Sequence, residues 1–223
     1  MVNEIFFLIQ ILLIIGFSVG AARIGPNAMT AYVAMCGVLA NLFVVKQMEL
    51  FGLTVTCSDV FAVGCILGLN LMQEHFGKDA AIKTTTISFI AMVFFVLVSQ
   101  IHLWYTPSIH DQTHAAFAAI LKSTPRIVFA SIAVFFLVQK MDVVFFGWLK
   151  NRLAGRFPAL RMGIALLLSQ FVDTILFSFA GLYGIVASLF DVIAVSFIVK
   201  CLVIACSAPL ASLSRRFIKE PSP

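Results

Sequence analysis

Seven stretches of this chain, residues 5–22, 29–46, 53–75, 84–104, 125–149, 162–183 and 186–209, are apolar almost without interruption. A helix needs about 20 mainly apolar residues to cross a bilayer, and each stretch is of that order. Backbone facing lipid cannot be left unpaired, and a helix satisfies its own N–H and C=O groups. The fold class expected is therefore all-α, a polytopic transmembrane helical bundle. Charged residues make up only 11% of the chain and hydrophobic residues 61%, whereas a soluble domain carries about 25% charged residues. That leaves no room for a soluble domain beside the spans.

The loops are short except for 105–124, which holds Pro107, His110, Asp111, His114 and Lys122. Positive charge collects in alternate loops: Arg23, then Lys78 and Lys83, then Lys150, Arg152, Arg156 and Arg161, then Arg215, Arg216 and Lys219. Cytoplasmic loops carry the excess of Lys and Arg, so the N-terminus is expected outside and the C-terminus in the cytoplasm. The net charge of +5 is explained by this topology, and no nucleic-acid partner is expected. The first stretch begins with Glu4 and no Lys or Arg; a signal peptide wants a positive start, so a retained helix is expected. Segment 53–75 is the least apolar, with Thr54, Thr56, Ser58, Asp59, Gly64 and Gly68, and reads as a helix packed inside protein with an irregular start.

Soluble-type catalytic motifs are absent. There is no HExxH or GxSxG, and Phe76-Gly77-Lys78-Asp79 lacks the upstream Gly and the following Ser/Thr of a phosphate loop. No filter sequence or regular Arg series of a channel is present. The five cysteines form no CxxC and have no His at ligand spacing, so they read as small buried hydrophobes. No metal, cofactor or enzymatic activity is expected.

What remains is polar residues inside the apolar stretches. Gln139 and Asp142 form one pair and Gln170 and Asp173 another, each three residues apart, and positions i and i+3 share a helix face. A carboxylate near the membrane centre costs a few kcal/mol on insertion scales, so such residues usually line a polar site. Counting 1.5 Å per residue from the basic clusters puts the two Asp residues at comparable depth. Ser131 shares the face of Asp142, and Lys200 reaches similar depth as the obvious counter-charge for an Asp. Asn41, Asn70, Glu74 and Arg126 complete the candidates. Each has a plainer reading: Lys200 with either Asp as a pair that fixes helix register, Gln73 and Glu74 as snorkelling interface residues, Arg126 as a helix-end anchor. Asp59 and Asp191, near the outer ends, are expected to be solvated.

Carboxylate–amide pairs with one cation and many aromatics suit a flat, hydrogen-bonding molecule, because a carboxylate accepts two N–H bonds and an amide both donates and accepts. A proton or sodium pathway needs similar residues. The chemistry thus leaves open an importer of a polar heterocycle, an ion-coupled carrier of another small polar solute, and a non-transporting membrane assembly protein.

The order of these positions resembles a known family. Asn41 through Lys46, Leu50-Phe51-Gly52-Leu53-Thr54-Val55, and Asn70, Glu74 and Gly77 resemble a first block of the queuosine precursor transporter family. Arg126, Ala130 and Ser131 with Gln139 and Asp142 resemble a second, and Ser169, Gln170, Asp173 and Thr174 with Lys200 a third. The resemblance implies a six-helix core over 29–213, similar to the substrate-binding components of energy-coupling-factor transporters, with an extra N-terminal helix in 1–28 and a cytoplasmic tail at 214–223. It implies import of 7-deazaguanine bases such as queuine, preQ0 or preQ1 across the bacterial inner membrane, for tRNA modification. Carried over residue by residue, the substrate-binding set is Asn41, Asn70, Glu74, Arg126, Gln139, Asp142, Gln170, Asp173 and Lys200. The expected partners are that small molecule and the lipid bilayer, with an energising partner left open. Asn70 stands where an acidic residue is expected in many members, which points to a neutral base over an aminomethyl cation.

Overall fold

The computed structural model describes residues 2–152 and 158–214; the side chains at 139, 140, 142–152, 158–163, 165, 166 and 203–214 lie outside the described residues. Seven long helices carry the expected stretches: α1 (Val2–Ile24), α2 (Pro26–Phe43), α3 (Asp59–Phe76), α4 (Lys78–Trp104), α6 (Thr124–Arg152), α7 (Pro158–Phe177) and α8 (Leu189–Ser214). A short helix, α5 (His114–Leu121), lies within the long loop. By length and composition Val2–Ile24, Lys78–Trp104 and His114–Val138 are long and apolar enough to cross a membrane. Their outward positions are apolar: Phe6, Leu12 and Phe17 on α1, and Ile90, Phe94 and Leu97 on α4, are exposed.

Two departures from the sequence reading concern the ends of segments. The irregular start expected for segment 53–75 is a strand and a turn, and residues 53–58 do not belong to a helix. Leu53–Thr56 is a strand, β2, paired antiparallel with β1 (Gln47–Leu50) in the register Gln47↔Thr56 to Leu50↔Leu53. The two-residue turn Phe51-Gly52 has both residues at positive φ (52° and 80°), as in the turns whose twist matches that of the flanking strands. Helix α3 begins only at Asp59. The loop 105–124 is also more ordered than its length suggests, because Asp111 Oδ1 accepts the backbone N–H groups of Thr113 (2.7 Å) and His114 (3.2 Å) and the Thr113 hydroxyl (2.8 Å) at the start of α5. The backbone N–H of Thr113 is the main reason the exposed Asp111 carboxyl is held below the usual carboxylate range. A lowered folded-state pKa makes this contribution present above the unfolded carboxyl pKa, and it is lost as pH falls through the folded value.

The hairpin clasps one end of the bundle. Asn3 Nδ2 donates to Glu49 O (2.8 Å) and Phe51 N–H donates to Glu4 Oε1 (3.1 Å), which ties in the start of α1. Thr54 N–H donates to Asp191 Oδ2 (3.1 Å) and Ala187 N–H to Gln47 Oε1 (2.7 Å), which ties in the start of α8. Below the clasp, Phe7, Leu50, Val55, Val60, Val63, Val195 and Val199 form one buried cluster from α1, the hairpin, α3 and α8. At the opposite end single glycines, Gly25 and Gly77, link α1 to α2 and α3 to α4. There the hydroxyls of Thr30 and Thr84 lie 2.8 Å apart, so α2 and α4 start side by side.

Helices α2 and α3 approach closely because α3 presents Gly64 and Gly68, four residues apart on one face. A Cβ at Gly68 would stand 2.6 Å from Val33 Cγ2, and one at Gly64 would stand 2.9 Å from Cys36 Sγ. This explains why the least apolar segment holds the middle of the bundle: its small residues trade side-chain volume for backbone contact. Forcing a larger group into such packing costs about 1–3 kcal/mol. Gly68→Val is therefore expected to lower the melting temperature of the purified protein in detergent. Gly16→Ala, where an added Cβ meets nothing within 4 Å, should leave it unchanged, and equal melting of the two variants would contradict the packing described.

Candidate functional site

Helix α7 carries Gln170 and Asp173 on one face, and both point into a cavity of about 370 Å³ inside the bundle. Small-molecule sites usually fall between about 300 and 1,000 Å³. Lys200 reaches the cavity from α8. Its ammonium donates to Asp173 Oδ2 at 2.6 Å and to the Thr174 hydroxyl at 3.1 Å. Of the two acids considered as its counter-charge, Asp173 is the partner seen. The pair is mostly withdrawn from solvent, with 13% of the Lys200 side chain and 28% of the Asp173 side chain exposed. In such surroundings separating the charges costs far more than on a surface.

Five of the nine candidate positions meet at this cavity: Asn41 from α2, Asn70 from α3, Gln170 and Asp173 from α7, and Lys200 from α8. Asn41 is buried, and its amide donates to Gly37 O (2.7 Å) and faces Met92 Sδ (3.2 Å). Arg126 and Glu74 are placed elsewhere. Arg126 lies exposed at the clasped end and donates from Nε to Ala180 O (3.0 Å), holding the π-helical turn Ser178–Leu182 against the start of α6. Glu74 is exposed near the end of α3, and it is not among the residues that line the cavity. The side chains of Gln139 and Asp142 lie outside the described residues.

Helix α4 supplies a wall that sequence reasoning missed. Thr85, Ser88, Phe89 and Met92 all line the cavity, and their spacing of three, four and seven residues is that of one helix face. That polar-aromatic stripe was available as a signal, but Thr and Ser are common enough in apolar helices to pass unnoticed. Ser131 and Phe135 of α6 face it. Phe89 and Phe135 meet edge to face with ring centroids 4.9 Å apart. A second cavity of about 400 Å³ shares Asn70, Thr85, Phe89 and Phe135 with the first and extends to Gln73 and Lys78 beside the α3–α4 turn. The polar site thus opens toward the end opposite the hairpin, past the two rings.

Asp59 also departs from expectation. It is buried beneath the hairpin, with 6% of its surface exposed, and accepts the Ser196 hydroxyl at 2.6 Å. A place near a segment end suggests solvation, but β2 and α8 cover that end. Asp191 is half-buried and accepts the Thr54 N–H instead of facing water alone.

The cavity offers a carboxylate, an ammonium, three amides and several hydroxyls around two aromatic rings. Such a set can bind a flat polar molecule by hydrogen bonds at its edge and contact at its faces. Among the described residues no group of His, Cys, Asp and Glu is arranged to hold a metal ion. A sequence model described as "Putative vitamin uptake transporter" matches residues 56–214. A relative from Bacillus subtilis (strain 168), described as "Probable queuosine precursor transporter", is 27% identical over 217 residues, covering 96% of this chain and 93% of the relative. No solved structure matches. With its apolar helices the chain is a multi-pass membrane protein, and it belongs to the vitamin uptake transporter family.

Proposed function

We propose that the chain imports a queuosine precursor, a 7-deazaguanine base, across the bacterial cytoplasmic membrane. The observation that carries this reading is the cavity where Asn41, Asn70, Gln170, Asp173 and Lys200 converge from four helices beside Phe89 and Phe135. A guanine-like edge presents adjacent N–H donors, which a carboxylate accepts in pairs. Asp173 takes that role while remaining held by Lys200. Gln170 and the two Asn amides read neighbouring ring acceptors, and the rings of Phe89 and Phe135 contact the faces of the base. Asp142 is the second acceptor in this proposal, on the strength of the same Gln–x–x–Asp spacing on α6, which packs against α7. The name of the Bacillus subtilis relative supports the same substrate class.

The proposed orientation puts the hairpin end outside, because Arg23, Lys78 and Lys83 lie at or near the opposite end of the bundle and Lys and Arg favour the cytoplasmic side. The seven long helices then each span the membrane. Helix α1 contributes no residue to the cavity lining. It packs on α2 and α3, where the Tyr32 hydroxyl donates to Ile14 O (2.9 Å). It serves as an added scaffold beside a six-helix core.

The reading is tested by thermal-shift titration of the purified protein with queuine, preQ0 and preQ1. At least one base should raise the melting temperature. Asp173→Asn and Asp142→Asn should each remove that shift and abolish uptake of the base while the protein still inserts in the membrane. A base-induced shift that survives in both variants would remove the proposed site. Asn70 faces the cavity, so Asn70→Asp adds a carboxylate to it. A hydrogen bond to a charged group contributes about 1.5–3 kcal/mol. This variant should therefore shift preference toward the aminomethyl base preQ1 by about tenfold or more over preQ0. An unchanged ranking in competition uptake would show that Asn70 does not read that substituent. Phe135→Leu should weaken binding by a few fold, since an aromatic contact contributes about 0.5–1.5 kcal/mol beyond its buried area. Isothermal titration of the variant measures that loss.

A further inference from the structure

Beneath the hairpin lies a second polar centre, separate from the residues that line the cavity. Asp59 opens α3, and its carboxylate accepts the Ser196 hydroxyl through Oδ1 at 2.6 Å. Its other oxygen, Oδ2, is fully buried and has no hydrogen-bond partner. Two more hydroxyls, of Thr56 at the end of β2 and of Ser58 in the turn that follows, are buried and lie 2.7 Å from each other. Ser196 and Lys200 are four residues apart on α8 and share a face, so the nearest ammonium along that helix is Lys200. It is already held by Asp173 at 2.6 Å.

Of the carboxylates around α8 among the described residues, Asp191 sits half-exposed at the hairpin end, which leaves Asp59 and Asp173 to one ammonium. Buried charges are paired or coordinate a metal ion, because an unpaired one carries a large desolvation cost. The imbalance is a single negative charge, and it sits where the free carboxylate oxygen is. The neighbouring groups are neutral oxygen donors, the ligand type that hard cations take. From these observations we infer that Asp59, with Ser196, Thr56 and Ser58, binds a monovalent cation, Na⁺. Three buried hydroxyls are more than a proton on the carboxylate would require. They suit the coordination of a small cation.

The consequence for transport rests on the import reading of the preceding subsection; the binding of Na⁺ itself does not. Lys200 stands between the two centres, bonded to Asp173 on one side and a helical turn from Ser196 on the other. A base that engages Asp173 shares that carboxylate with Lys200, so its binding depends on where the ammonium sits. A cation at Asp59 keeps that ammonium on the Asp173 side, so occupancy of one site alters the other. The two ligands are then coupled, and by linkage the coupling is reciprocal.

Equilibrium binding of ²²Na⁺ to the purified full-length protein, with no base present, tests the site directly. The wild type should bind Na⁺ saturably at one-to-one stoichiometry, with no displacement by choline. Asp59→Asn should weaken that binding by at least about tenfold. Ser196→Ala, which keeps the carboxylate, should weaken it less and so gives the answer even if Asp59→Asn does not fold. Asp173→Asn, which frees Lys200 for Asp59 and leaves one carboxylate to one ammonium, should also weaken Na⁺ binding. Absence of saturable ²²Na⁺ binding by the wild type overturns the inference, and so does wild-type affinity in both Asp59→Asn and Ser196→Ala. Since the assay contains no base, a failed base titration leaves its result untouched.

Discussion

The ammonium of Lys200 sits 2.6 Å from Asp173 in a bundle built mostly from apolar side chains. Two charges withdrawn from water lose several kcal/mol of hydration each, and their attraction repays this only with close geometry and further hydrogen bonds. Thr174 supplies one such bond to the same ammonium. The pair fixes α7 against α8 and holds Gln170, one turn away, toward the same space. Asn41, Asn70 and the α4 stripe then face a polar wall. In the proposed function the pair that fixes helix register and the base-binding site are the same residues.

The rest of the architecture keeps this pair mostly withdrawn from solvent and reachable from one end. At the hairpin end, four hydrogen bonds tie the starts of α1 and α8 to the strands. At the other, the cavity runs past Phe89 and Phe135 toward Lys78. Close packing at Gly64 and Gly68 brings α2 against α3, so Asn41 and Asn70 reach one cavity from neighbouring helices. With no hydrophobic driving force between helices in lipid, packing of this kind is what holds them together.

Much of this is legible in the sequence, and the reasons are physical. Apolar length marks the helices because the bilayer sets their span. The i, i+3 relation put Gln170 beside Asp173, and depth counting put Lys200 within reach of an acid. The β-hairpin is hidden because Leu53–Thr56 is short and runs within a few residues into the apolar positions of α3, so the irregular start is legible but its strand is not. Periodicity cannot separate a short buried strand from the helix that follows it. Asp59 is misjudged for the same reason: its burial depends on that hairpin covering the end of α3. Arg126 shares a block of sequence with Ser131, yet the helix carries it more than a turn farther toward the clasped end, where it meets Ala180 O. Phe89 and Phe135 cannot be singled out among 23 phenylalanines until packing shows which ones face the cavity.

The most direct test of the account is the queuosine content of tRNA in a host lacking both its own synthesis of the base and its own importer. This chain is expressed there while queuine, preQ0 or preQ1 is supplied at low external concentration. The account predicts that at least one base restores queuosine, and that Asp173→Asn, present in the membrane at the same level, does not. Failure of the wild-type chain to restore queuosine with any base, while a functioning importer in the same host succeeds, would contradict it.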